Sequence, residues 1–278
     1  MAEPFGVRLR ERVRALGPLC VGVDPSAELL GSWERPDALE GLEFAALAIL
    51  DAVVGVAAAI KPQVAFFERF GSGGYRVLER LIADARDADI LVVADAKRGD
   101  FAPTNVGYAE AWLGERSTLR VDAVTVSPYL GVGALSPLFS LAEESGRGVF
   151  VLAATSNDEG RAVQTARTVD GERVEELVLG QVASLNGRDD GLGSVGCVFG
   201  ATRDRPSFNL ASLGGPFLVP GVGAQGATAD HVSRMFERCP PGTVLVNVGR
   251  AILEAGPVRS ALRDAAQRWR DDLGLALP

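Results

Sequence analysis

Short apolar runs alternate with longer amphipathic segments along almost the whole chain. The apolar runs are "LCVGVD" (19–24), "AAAIKPQV" (57–64), "ILVVADAK" (90–97), "VDAVTVSP" (121–128), "GVFVLAAT" (148–155), "SVGCVFGA" (194–201), "PFLVPGVG" (216–223) and "TVLVNVGR" (243–250). Runs of this length, rich in β-branched residues, fit strands of a parallel sheet buried on both faces. Between them, "YRVLERLIADARDA", "ERVEELVLGQVASL" and "VRSALRDAAQRWRDDL" carry helical spacing with charged outer faces. Strands alternating with helices predict βαβ units. Eight such units predict a (β/α)8 TIM barrel of the α/β class, a single domain over residues 1–278. An open doubly wound sheet shares the local pattern, so the count of eight and the placement of polar residues carry the choice. "MAEPFGVRLRERVRAL" predicts an amphipathic helix over about residues 4–17 ahead of the first strand and has no signal-peptide core. The most apolar window, Phe44 to Ile60, is broken by Asp51 and Gly55 and ends at Lys61. That fits a core helix running into a strand rather than a membrane span.

In a barrel of this kind the active site lies at the C-terminal ends of the strands. Reading those ends in order gives Asp24, Lys61 with Gln63, Asp95 with Lys97, Ser127, Thr155 with Ser156, Gln225 in the seventh loop and Arg250. Acids, lysines, amides and an arginine gathered at one end of so many strands mark that end as the candidate site. The formal net charge of −8 and the lack of a Lys/Arg block argue against duplex DNA or an anionic membrane as partner, while leaving small anionic substrates open. Cys20, Cys197 and Cys239 are far apart and without C-x-x-C spacing, which fits free thiols in a reducing, cytoplasmic compartment. With His231 as the single histidine there is neither a multi-histidine metal site nor a Ser-His-Asp base, and its place in "GATADHVSRMF" suggests the first turn of a helix.

"GVGAQG" (221–226) matches the dinucleotide fingerprint G-x-G-x-x-G, but it follows Pro220 and the next strand ends in Asn247 instead of an acid for a ribose. The loops after strands 7 and 8 of such barrels often bind phosphate through backbone N–H groups. Here they are "PGVGAQG" and "NVGRAI", the second carrying Arg250, whose forked donors suit phosphate oxygens. The substrate expected is a phosphomonoester. In "DAKRGD" (95–100), Asp95 and Lys97 share a strand face and Asp100 follows on the loop, with Lys61 at the end of the neighbouring strand. Alternating acids and bases would keep both lysines and both carboxylates charged, each contact contributing roughly 4 kcal/mol at 4 Å and an effective dielectric near 20, before desolvation. A buried ion-pair network that only fixes the barrel is the structural alternative.

Seven segments in order, "PLCVGVDPSAELL", "KPQVAFFERFG", "VVADAKRGD", "SPYLG", "GVFVLAATSN", "LVPGVGAQG" and "NVGRAI", give the chain a resemblance to the orotidine 5′-phosphate decarboxylase family in its longer bacterial form. The resemblance implies metal-free, cofactor-free decarboxylation of orotidine 5′-phosphate to UMP, the last step of de novo pyrimidine nucleotide synthesis. It implies that Lys97 protonates C6 of the pyrimidine and that Asp95 lies beside the substrate carboxylate. Asp24 and Lys61 match positions that bind ribose hydroxyls, and Ser156 or its neighbour Thr155 the position that reads the pyrimidine edge. Gln225 matches a residue spanning pyrimidine and phosphate, Gly249 and Arg250 a phosphate grip, and Pro220 a wall of the base pocket. Asp100 and Thr104 match residues supplied to the partner's site, which implies a homodimer. Phe101 stands where relatives usually carry a β-branched aliphatic, and a repacked apolar wall is expected there. The competing expectations are a Mg²⁺-dependent sugar-phosphate decarboxylase or aldolase of the same superfamily, and a non-catalytic binder of phosphoribosyl ligands.

Overall fold

The computed structural model describes residues 3–187 and 191–277. Its strands are β1 (Leu19–Val23), β2 (Ala59–Pro62), β3 (Leu91–Arg98), β4 (Ala123–Val126), β5 (Gly148–Ala154), β6 (Val195–Phe199), β7 (Phe217–Val219) and β8 (Val244–Val248). They form one closed parallel barrel in chain order, with β8 pairing back onto β1 through Leu19↔Val246 and Val21↔Val248. Closure rules out the open doubly wound sheet and makes the fold a (β/α)8 TIM barrel. The apolar runs hold their strands, β3 ending one residue past its run at Arg98; the helices Gly71–Asp87, Val174–Leu185 and Arg259–Ala276 fall on the amphipathic segments, and Leu39–Val53 takes up the first part of the apolar window. No helix among the described residues is long and apolar enough to cross a membrane.

Two cores follow from the alternation of side chains along a strand. Val21, Ile60, Val92, Val124, Val149 and Val246 belong to the larger outer core, shared with the helix ring. Cys20, Ala59, Leu91, Val93, Ala123, Phe150, Val198, Leu218 and Leu245 fill the barrel interior. The N-terminal helix Phe5–Leu16 completes that inner core from below: Phe5, Leu9 and Val13 enter it, and the Phe5 ring packs edge-on against Phe150 at 5.9 Å. Small residues at Ala58, Ala59 and Ala123 leave room for the two rings. The barrel is thus plugged at its N-terminal end and open to chemistry at the other.

Phe5→Ala removes a fully buried ring from the plug and is expected to cost about 3–5 kcal/mol in chemical denaturation. The turnover number measured below the shifted transition should stay close to the parent's, because the plug lies at the opposite end from the polar cluster described next.

Candidate active site

Along each inward row the apolar floor gives way to polar residues at the C-terminal end. Cys20 is followed at two-residue intervals by Gly22 and Asp24, Ala59 by Lys61 and Gln63, Val93 by Asp95, Ala123 by Thr125, and Leu245 by Asn247 and Gly249. Leu152, Val198 and Leu218 on β5, β6 and β7 keep the opposite wall apolar. Between the two walls lies a cavity of about 270 Å³, lined by Asp24, Lys61, Asp95, Lys97, Thr155, Ser156, Pro220, Gln225, Gly249 and Arg250 among others. Ten of the twelve residues singled out for the site therefore meet in one place. Asp100 and Thr104 do not line it, and neither does Ser127, whose backbone N–H is drawn to Arg98 O at 2.7 Å.

The Asp95 carboxylate is the hub. Oδ2 accepts hydrogen bonds from Lys61 Nζ at 2.9 Å and Gln63 Nε2 at 3.0 Å. Oδ1 accepts from Lys97 Nζ at 2.7 Å and Thr125 Oγ1 at 2.9 Å. Each oxygen thus has two donors, which fills the acceptor capacity of a carboxylate. Burial alone would raise the Asp95 pKa; the Lys61 and Lys97 ammonium groups overcome it and hold the group far below the usual carboxylate range. For Lys61, 4% exposed, burial pulls its pKa down, but Asp95 and Asp24 push it above the ordinary lysine value. Removing one partner of a pair this buried costs about 3–5 kcal/mol, because the other charge is stranded.

Two details of "DAKRGD" differ from a regular strand. Lys97 has a left-handed backbone, φ +48°, and the step of four from Ala94 to Arg98 on β3 is matched by a step of only two from Val124 to Val126 on β4. The lysine thus reaches Asp95 from a bulge and not from a shared pleat, an outlier of the kind that proteins keep at working sites. Asp100 is also not part of the charge cluster: its Oδ1 accepts the Phe101 N–H at 2.7 Å, and its backbone is clasped by the buried Asn105. Within one chain the cluster holds one acid, Asp95, between two lysines. Arg98 turns outward to Glu68. Phe101 precedes the helix Ala102–Leu113 and is 58% exposed, so it forms no apolar wall within this chain's own cavity.

Asp24 behaves in the opposite sense to Asp95. Burial raises its pKa, against the lowering pull of Lys61, and its Oδ1 has no hydrogen-bond partner among the described residues. Gly22 and Gly249 make room for it, since a Cβ on either would sit within 2.8 Å of Asp24 Oδ2. Asn247 Oδ1 is likewise buried without a partner. Orphaned acceptors facing a polar cavity are the signature of a site prepared for donors on a ligand. On the far side, Thr155 is engaged: Gln164 Oε1 accepts its N–H at 3.0 Å, and its hydroxyl lies 2.8 Å from Gln164 Nε2 and 2.7 Å from Asn157 Oδ1. Arg250 is exposed at the cavity mouth and makes no salt bridge among the described residues. The glycines of "GVGAQG", Gly221, Gly223 and Gly226, all have positive φ, so the motif shapes a loop and not a strand-to-helix turn. His231 is the third residue of the helix Ala229–Phe236 and closes a capping box with Thr228, outside the cavity.

Residues 17–265 match the model of the "Orotidine 5'-phosphate decarboxylase / HUMPS family". The chain belongs to this family. A curated orotidine 5′-phosphate decarboxylase of Salinispora tropica is 51% identical over 275 residues, 99% of each chain, and one of Streptomyces coelicolor is 48% identical over 276 residues at the same coverage. A crystal structure from Streptomyces avermitilis, 48% identical, superposes with a TM-score of 0.94 over 99% of this chain and 96% of that one. The Leishmania donovani OMP decarboxylase is more distant, at 30% identity and a TM-score of 0.77 over 98% of each chain.

Two polar residues of this orotidine 5′-phosphate decarboxylase family member were not picked out by the reading of strand ends: Thr125, which touches Asp95, and Asn247, which lines the cavity. Both sit one step inside their strands, where a lone polar residue among valines is the available signal.

Because the folded pKa of Asp24 is raised, its ionised form opposes folding at neutral pH, and the penalty is relieved as pH falls through the folded value. Asp24→Asn is therefore expected to raise the melting temperature at pH 7 while weakening ligand binding. Thermal melts paired with UMP titration check both signs.

Proposed function

We propose that this chain decarboxylates orotidine 5′-phosphate to UMP and CO2. The observation that carries the reading is the fourfold satisfaction of Asp95 with the Lys97 ammonium 2.7 Å from it. A carboxylate whose every acceptor site is taken by protein donors has little left for a divalent cation, which favours this reaction over the Mg²⁺-dependent sugar-phosphate reading. Lys61, Lys97 and Arg250 outnumber the acids Asp24 and Asp95 around the cavity and make it locally positive in a chain of net charge −8, as a substrate with a phosphate and a carboxylate requires.

In the reaction the C6–carboxylate bond breaks, CO2 leaves, and the electron pair stays in an in-plane orbital of C6. The fixed Lys97 ammonium stabilises that charge and delivers its proton to C6, then regains one from solvent. Asp95 aims Lys97 through the 2.7 Å contact with its ammonium. Its repulsion of the substrate carboxylate is a second contribution. Leu152, Val198 and Leu218 offer departing CO2 an apolar wall. Asp24 and Lys61 take ribose hydroxyls. Ser156 reads the pyrimidine edge in preference to Thr155, whose hydroxyl is already engaged. Pro220 lines the base, Gln225 spans base and phosphate, and Gly249 with Arg250 grips the phosphate, whose binding energy orders the loops over the site.

The reading extends to a homodimer in the cytoplasm. Asp100 and Thr104 would serve the partner's site across a face that carries the exposed apolar residues Phe101, Val106, Tyr129 and Leu130. Cys20, Cys197 and Cys239 are free and buried, in keeping with a reducing compartment.

Loss of orotidylate absorbance on adding protein, with and without EDTA, tests the reading: equal rates support it, and no conversion, or conversion abolished by EDTA, sinks it. Lys97→Ala should lower kcat by at least about 10⁴-fold while UMP still binds. Arg250→Ala should weaken UMP binding about 10- to 100-fold in calorimetry, the loss of a charged phosphate contact.

A further inference from the structure

Thr125 is fully buried in the middle of β4, in the run Ala123-Val124-Thr125-Val126. A valine would fill the same space and suit the strand better, so a buried hydroxyl there needs a reason. Its bonds supply one. Thr125 Oγ1 accepts the backbone N–H of Lys97 at 3.0 Å and donates its own proton to Asp95 Oδ1 at 2.9 Å. One atom therefore holds both the peptide that carries one charge of the pair and the carboxylate that opposes it.

The need for such an atom follows from the bulge. At Lys97 the chain turns to φ +48° and the β3–β4 register slips, so the Lys97 N–H finds a side chain instead of a ladder carbonyl. Regular pairing resumes beyond it, with Ser127 N–H on Arg98 O at 2.7 Å. Without the hydroxyl, that N–H and one site on Asp95 lose their partner in the interior, and nothing fixes the strained backbone on which the ammonium is aimed.

We infer that Thr125 is a positioning residue for the proton donor, setting the place of the Lys97 ammonium through its peptide N–H and through Asp95. It acts without touching the substrate's base, ribose or phosphate. Serine retains both bonds with a less restricted side chain; valine retains the shape and neither bond. The inference rests on the decarboxylase reading and concerns how the site is held.

The test compares the wild type, Thr125→Val and Thr125→Ser with orotidine 5′-phosphate as substrate and UMP as the binding probe. Wild-type turnover is established first, so that a failure of the decarboxylase reading shows up separately. Thr125→Val is expected to lose about 100-fold in kcat, the scale of an ångström of misplacement, while its KM and UMP affinity stay within about threefold. Thr125→Ser is expected to recover most of kcat. A Thr125→Val enzyme with kcat within about twofold of the parent would overturn the inference. So would an equal loss of UMP binding and kcat in a variant that melts like the parent, or a serine variant no better than the valine one.

Discussion

One carboxylate organises the catalytic end of this barrel. Asp95 is buried deeply enough that its charge would be untenable alone, yet Lys61, Gln63, Lys97 and Thr125 satisfy it from β2, the β2–α turn, its own strand and β4. The attraction between an ionised acid and two ammonium groups in a poorly solvated place is what makes the cluster stiff. It is also what makes it asymmetric: Lys61 is sealed in, whereas Lys97 has 45% of its side chain exposed. A lysine fixed at one end and open at the other is suited to meeting a reacting atom.

The barrel serves this arrangement through its two-sided strands. The apolar inner row and the Phe5 plug close one end, so the strands are rigid where the polar residues begin. Closing the sheet brings the ends of distant segments into one rim, and the acid, the lysines and the arginine then surround a single cavity. The apolar wall from β5, β6 and β7 faces the charged wall from β1 to β3. A ligand that is anionic at two points and flat between them fits that division. The same enclosure leaves Asp24 Oδ1 without a donor among the described residues, a stability cost that a ligand hydroxyl would offset.

Much of this could be read from the chain. The eight apolar runs fixed the strand count, and polar residues closing those runs located Asp24, Lys61, Asp95, Lys97 and Arg250, because a buried strand has no other use for charge at its end. The bulge was invisible: "DAKR" contains no glycine at the left-handed position, and its alternation looks regular. Thr125 was invisible for a related reason, since threonine is an ordinary strand former and only the third dimension shows what its hydroxyl touches. The state of Asp24 depends on the approach of Gly22 to Gly249, residues far apart in sequence. Asp100 lies close to the cluster along the chain, but the turn into the next helix carries it away from its own chain's cavity.

The order of the site depends on Asp95 being ionised because two lysines hold it so. Following the Asp95 carboxyl carbon by ¹³C NMR through an acid titration of the unliganded protein measures this directly. The folded pKa lies below the unfolded one, so the stability that this group contributes is complete above about pH 4 and is lost as the pH falls toward the folded value. The predicted result is a resonance that stays at its ionised position down to the acid limit of folding. A midpoint near or above about 4 would mean that the lysines do not control the acid, and the electrostatic account of the site would be wrong.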